Sequence, residues 1–146
     1  MIKEFTIDIN EDQLTNIKSK IEHYPWSSIE NMEEWTHGAN KKYLKELCNY
    51  WLKEFNWKKH EQLINSFKNY KTNVDGIDIH FIKEEGSGEN PKTLLLLHGW
   101  PGSVVEFLEI IKPLAHPEEF GGNINEAFTV IAVSYTHLTL PTKRIV

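Results

Sequence analysis

The chain has 146 residues, 40% of them hydrophobic and 25% charged, with a formal net charge of −5. That length carries one domain with a real core, and the composition is that of an ordinary globular protein. A net negative chain whose lysines and glutamates are interspersed lacks the basic stripe of a nucleic-acid-binding face, so nucleic acid is not an expected partner.

Phe5, Ile7 and Ile9 alternate with polar residues, the period of a half-buried strand or extended segment. Asn10, with Gln13 three residues on, caps a helix whose apolar stripe is Leu14, Ile17 and Ile21. Tyr24-Pro25-Trp26-Ser27-Ser28 ends it and opens an irregular aromatic stretch reaching Trp35 and Gly38. Asn40 caps the next helix, along which Leu44, Leu47, Cys48, Trp51 and Phe55 recur at three- and four-residue spacing. Cys48 is the one cysteine, which excludes an intrachain disulfide, and its place on the apolar face reads as a core thiol. Asn56-Trp57 interrupts this helix, and a short one follows with Leu63, Ile64 and Phe67. Trp51, Phe55, Trp57 and Phe67 are expected to pack as core rings rather than form a ligand cage.

Asp75-Gly76 between the alternating runs 71–74 and 77–82 predicts a two-residue hairpin. Residues 84–91, Glu84 to Pro91, read as a flexible surface loop. Thr93-Leu94-Leu95-Leu96-Leu97 reads as a strand, apolar throughout as a parallel strand covered on both faces should be. Ser103 and Glu106 form a Ser-x-x-Glu capping box, predicting a helix over 104–112. Pro113 and Gly121-Gly122 bracket a second loop, and Phe128–Ala132 reads as the next strand, completing a βαβ unit.

Between strand and helix lies His98-Gly99-Trp100-Pro101-Gly102-Ser103. Backbone N–H groups at such a turn are free to bind a developing negative charge. No dinucleotide fingerprint, P-loop or His-Glu-x-x-His occurs, and no His/Asp/Glu set has metal-ligand spacing, so neither metal nor other cofactor is expected. No run approaches the ~20 apolar residues of a membrane span. The first ten residues include acidic ones and no apolar run of signal-peptide length, which gives a cytoplasmic expectation without a membrane anchor.

The His98–Ser103 segment followed by Glu106-Phe107 resembles the oxyanion-hole segment of epoxide hydrolases of the α/β-hydrolase fold. The microsomal and juvenile-hormone branch is the one it is most similar to. Tyr50-Trp51, Phe55-Asn56-Trp57, Leu63, Asn65, Phe67 and Asp75–Phe81 resemble, in order, the N-terminal extension of that branch. The resemblance runs from about Phe5 to Ala132. It implies an α/β fold in which a helical, aromatic-rich extension precedes an incomplete hydrolase core, the hairpin plus the βαβ start of the sheet. It also implies a cofactor-free reaction of a small-molecule epoxide with water, giving a vicinal diol through an alkyl-enzyme ester on an Asp nucleophile. Two lid tyrosines would assist opening, and a His paired with Asp or Glu would activate the hydrolytic water. By resemblance the backbone N–H of Trp100 contributes to the oxyanion hole. His98, Gly99, Pro101 and Gly102 shape the turn, with a cis Trp100–Pro101 bond, and the Trp100 ring lines the nucleophile's pocket.

The implied organisation is 1–90 for the extension and first hairpin, 91–132 for the start of the core, and 133–146 for a non-native tail. That tail departs from the family's Pro-Ser-x-Pro-Gly-type loop and resembles the translation of a transposase-type sequencing adapter. No nucleophile, acid or catalytic base is identified in the chain, and His137, in the tail, is not cast as one. The chain is therefore expected to be an N-terminal fragment, inactive alone and of unassigned oligomeric state. Three rivals remain open. A dehalogenase-like α/β-hydrolase lacks the aromatic extension, and a non-enzymatic helical binding module needs a native terminus at Val146. A nucleotide-binding βαβ protein finds Trp100-Pro101 where a phosphate would sit.

Overall fold

The computed structural model describes residues 1–26, 35, 36 and 38–134. They fall into two compact units, one built from Asp8–Glu61 and the other from Met1–Ile7 with Gln62–Val146.

In the helical unit, α1 (Glu11–Glu22) starts where the Asn10 side chain accepts the Gln13 N–H. Likewise, α2 (Lys41–Lys53) starts where Asn40 accepts the Tyr43 N–H. These are the bonds that N-caps are selected for, because they satisfy donors the first helical turn leaves free. A third helix, α3 (Trp57–Asn65), begins in this unit, with Asn56 accepting the Lys59 N–H. The extension is helical as expected, but most of its rings are not core. Trp51 is 43% exposed and packs edge-on against Phe55, which stacks on His60. Tyr43, Leu47 and Tyr50 are exposed as well, and Cys48 is half-buried. The reason is geometric: a unit of this size has too little interior to enclose so many large side chains. Of the four rings expected in the core, Phe67 alone is buried, and it belongs to the other unit.

The sheet-bearing unit holds β1 (Lys3–Glu4), β2 (Asn69–Val74), β3 (Ile77–Glu84), β4 (Lys92–Leu97) and β5 (Phe128–Ser134), ordered β1-β2-β3-β5-β4. Asp75 and Gly76, both at positive φ, make the two-residue hairpin between β2 and β3. Strand β3 pairs antiparallel with β5, and β5 pairs parallel with β4, so the expected βαβ unit forms within a mixed sheet. Its connection is a 3-10 turn (Val104–Phe107) leading into α4 (Leu108–Ala115).

One face of the sheet is closed. Ile82, Val130 and Ala132 have no exposed surface, and neither do Ile111 and Ala115 of α4, which packs there. Leu94 and Leu96 share this face through their register with Val130 and Ala132. The opposite face is open toward β4, where Leu95 and Leu97 are 55% and 58% exposed. The expectation of a strand covered on both faces is thus corrected, because β4 is an edge strand with one uncovered side among the described residues.

Three further readings change. Pro113 lies inside α4 instead of ending the helix, since Leu108, Ile111 and Ala115 continue one buried face past it. The bond that Pro113 cannot donate frees only the carbonyl of exposed Glu109. Residues 84–91 are not a loose loop: Gly86 N–H donates to Thr129 Oγ1 and Ser87 N–H to the Ala115 carbonyl. A Cβ on Gly86 would come within 2.8 Å of the Phe128 backbone, so glycine permits this close approach. Strand β5 continues through Val133 and Ser134, the first two residues of the expected tail, while 135–146, including His137, lie outside the described residues.

Candidate functional site

The turn after β4 is built from its backbone outward. Gly102 N–H donates to the Gly99 carbonyl at 2.8 Å, closing a four-residue turn around a cis Trp100–Pro101 bond. Within such a turn the second residue's N–H is not consumed by the closing bond. No acceptor for the Trp100 N–H occurs among the described residues. The Trp100 ring is 88% exposed, so it lines no pocket formed by the described residues.

His98 is buried at the base of the turn, with Nδ1 2.9 Å from the Gly99 carbonyl. A carbonyl only accepts, so in this contact Nδ1 is the donor. This contact ties the buried ring to the first residue of the turn.

On the helix side the predicted capping box is complete. Ser103 Oγ accepts the Val105 N–H at 3.3 Å, and Glu106 Oε1 accepts the Ser103 N–H at 3.2 Å. The first turn is 3-10, so the helix begins at Val104 as expected while its α-helical part begins at Leu108. Gly102 is glycine for a reason that the motif alone does not disclose. A Cβ there would sit 1.9 Å from Glu106 Oε1 and 2.8 Å from the Gly99 carbonyl oxygen. The Ser103 N–H and the space beside Gly102 are thus taken by the chain's own carboxylate. Among the described residues the N–H groups of Gly99 and Trp100 are left open at the turn.

Sequence spacing missed one cluster. His116, Glu118 and Glu119 bring ligand-type atoms within 4.8 Å of one another, which corrects the reading that no such set exists. Two of the three are engaged within the protein: His116 Nε2 lies 3.0 Å from Glu84 Oε1, and Glu118 accepts from Ser87 Oγ. They act as ties holding residues 84–87 to the end of α4.

The most perturbed acid lies elsewhere. Glu61 is buried in the helical unit, where it accepts from Lys58 Nζ, the Ile9 N–H and Trp57 Nε1. The Lys58 bond first, then the Ile9 N–H, hold its carboxyl down at about 2, against the opposing effect of burial. Its bonds tie the extended segment at Ile9 to the first turn of α3, which is a structural role. The same unit has a groove of about 650 Å³ beside Leu14, Ile17, Trp51, Phe55 and Trp57.

A mixed sheet with α4 on one face, entered through a cis-proline turn that presents open backbone donors, defines an α/β-hydrolase-type core beginning. The chain matches the family described as "Epoxide hydrolase N terminus" over residues 2–107. It is 38% identical over 133 residues to a putative epoxide hydrolase of Stigmatella aurantiaca, covering 91% of this chain and 30% of that one. To epoxide hydrolase 1 of Oryctolagus cuniculus it is 34% identical over 137 residues, with the same two coverages. Its fold is similar to the crystal structure of juvenile hormone epoxide hydrolase from Bombyx mori. The TM-score is 0.76 and the identity 31%, over 92% of this chain and 32% of that one. The chain belongs to the epoxide hydrolase family. It spans about 30% of the length of the curated relatives it matches.

Among the described residues no helix is long and apolar enough to cross a membrane.

Proposed function

We propose that this chain supplies the N-terminal extension and the oxyanion-side turn of an enzyme that converts a small-molecule epoxide and water to a vicinal diol. The observation that carries the reading is the Gly99–Ser103 turn, with Trp100 N–H open while the Gly102 and Ser103 N–H groups are engaged, at the end of a family match running through residue 107. In the reaction the family resemblance implies, a carboxylate attacks an epoxide carbon. The C–O bond breaks, the oxide takes a proton, and an alkyl-enzyme ester results. Water activated by a base then adds to the ester carbonyl, and the negative charge gathers on one oxygen. A preorganised N–H stabilises that charge because it needs no reorientation when the charge appears. Trp100 N–H takes this role, and His98, Gly99, Pro101 and Gly102 hold it in place.

Nucleophile, acid and base belong to the portion of the relatives' length that this chain does not span. Residues 1–146 alone therefore form no diol. The proposed organisation is 1–90 as extension and first hairpin and 91–132 as the core's beginning, with β5 carrying the core on through Val133 and Ser134. The enzyme acts in the cytoplasm.

The test joins residues 1–132 to the remainder of the Stigmatella aurantiaca relative and supplies styrene oxide. Diol formation by the chimera, absent from residues 1–146 alone, is the expected result. A well-folded chimera without turnover overturns the reading.

A further inference from the structure

Asp75 is the one aspartate or asparagine of the chain that a glycine follows. It stands at the tip of the β2–β3 hairpin, where residues 73–78 are all exposed. Asp75 and Gly76 have φ of 51° and 85°. With no Cβ on Gly76, no side chain shields the peptide nitrogen that follows the Asp75 carboxyl. Among the described residues, nothing beyond the chain neighbours lies within 4 Å of where a Gly76 Cβ would stand. A carboxyl and an unshielded nitrogen one peptide apart are the two ends of a succinimide ring.

That nitrogen is held by a neighbour. The Gly76 N–H donates to Asn73 Oδ1 at 3.0 Å, and Asn73 Nδ2 donates to Asp78 Oδ1 at 2.8 Å. Asn73 and Asp78 are also directly opposed in the strand register. The Asn73 side chain thus retains the proton the nitrogen must release to attack, and fixes the peptide plane that must rotate for ring closure. Asn65-Ser66 is the other pair in which a small residue follows an amide. There Ile7 takes up both ends of the Asn65 amide, and the Ser66 N–H donates to the Gln62 and Leu63 carbonyls. Asn65 is therefore closed to the same reaction.

We propose that Asp75 is a site of spontaneous isoaspartate formation and that Asn73 sets its rate. The Gly76 nitrogen bonds to Cγ of the protonated Asp75 carboxyl, the nitrogen gives up its proton, and the side-chain hydroxyl departs, so that one water is released. A water then adds to the former main-chain carbonyl of the succinimide and breaks its bond to nitrogen. The chain now runs through Cγ, and a free α-carboxylate projects from the turn. No other reactant is consumed. The inserted methylene lengthens the turn, so a two-residue loop no longer matches Val74 to Ile77.

The experiment incubates the full chain at neutral pH and body temperature over weeks. Isoaspartate is mapped by peptide chromatography and by methylation with an isoaspartyl carboxyl methyltransferase. It is expected at residue 75, with residue 65 unchanged. Asn73→Ala should form it at least fivefold faster. Asn73→Asp, which keeps an oxygen for the Gly76 N–H, should stay within twofold of the parent. In concentrated urea the parent and Asn73→Ala should react at one rate, because the clamp exists only in the folded hairpin. Far-UV circular dichroism verifies that each variant is folded in buffer. Isoaspartate confined to other positions, or a folded Asn73→Ala that reacts at the parental rate, overturns the proposal. So does an Asn73→Asp as fast as Asn73→Ala, or a difference between parent and Asn73→Ala that persists in urea.

Discussion

The side-chain amide of Asn65 closes both main-chain hydrogen bonds of Ile7. The Ile7 N–H donates to Oδ1 at 3.0 Å, and Nδ2 donates to the Ile7 carbonyl at 2.7 Å. One amide thus does for residue 7 what a neighbouring strand does for residues 3 and 4, which pair with β2. Replacing Asn65 with Leu strands a donor and an acceptor, each part-buried. The expected loss is about 1–3 kcal/mol, measured by urea unfolding. A change within error would show that water satisfies Ile7 equally well.

Ser103→Ala removes the acceptor for the Val105 N–H. Caps of this type are worth about 1 kcal/mol, and the 3.3 Å bond places this one at the lower end of that range. Thermal melts of the two proteins should differ by a few degrees, with the variant lower. A variant melting at the parental temperature would place the start of the helix elsewhere.

At Gly102 the two close contacts differ in kind. Glu106 can swing aside, giving up the Ser103 N–H, but the Gly99 carbonyl is backbone and part of the closing bond. Gly102→Ala should therefore destabilise the protein by about 1–3 kcal/mol, the usual cost of overpacking. Adding Glu106→Ala should recover only part of that loss. Complete recovery in a double-mutant cycle would assign the whole clash to the carboxylate.

Glu61 makes stability dependent on acid. Its folded-state pKa is about 2, below its ordinary 4.5. The stability it contributes is fully present above pH 4.5 and is lost as pH falls toward 2. In Glu61→Gln that part of the acid limb should flatten, because no proton is taken up at this position on unfolding. Equal slopes for the two proteins between pH 4.5 and 2, followed by urea melts across the range, would contradict this assignment.

Trp51→Ala should cost about 1–2 kcal/mol, less than the 3–5 kcal/mol of a fully buried tryptophan. The ring here has 43% of its surface exposed. A larger loss in chemical denaturation of this chain would mean that the ring is enclosed in solution.

Features decided by local chemistry were legible in the sequence. Asn10, Asn40 and Ser103 cap where they were expected to, and Asp75-Gly76 turns the chain with both residues at positive φ. The hairpin and the βαβ unit followed from these stops and from apolar periodicity. What escaped depends on neighbours distant in sequence. Four consecutive leucines have no polar contrast, so the run could not disclose that Leu95 and Leu97 face outward. Pro113 stays helical because of the surface beneath α4, which its own sequence does not describe. At the turn, the cis Trp100–Pro101 bond and the Ser103 cap were readable from the motif. The fit of Glu106 against Gly102 was not, because it depends on where a carboxylate comes to rest.

The strand order carries a consequence for the sequence of folding events. Strands β2 and β3 are joined by two residues, so they can pair while later parts of the chain are still being synthesised. Strand β4 cannot join them directly, because β5 lies between β3 and β4. The leucine strand therefore waits for residues 128–134 before it acquires its first partner. Until then its leucines have no sheet to shelter in, and contacts this far apart along a chain are the slow ones to form. That interval, during translation or refolding, is when this polypeptide depends most on a chaperone or on dilution to avoid aggregating through β4.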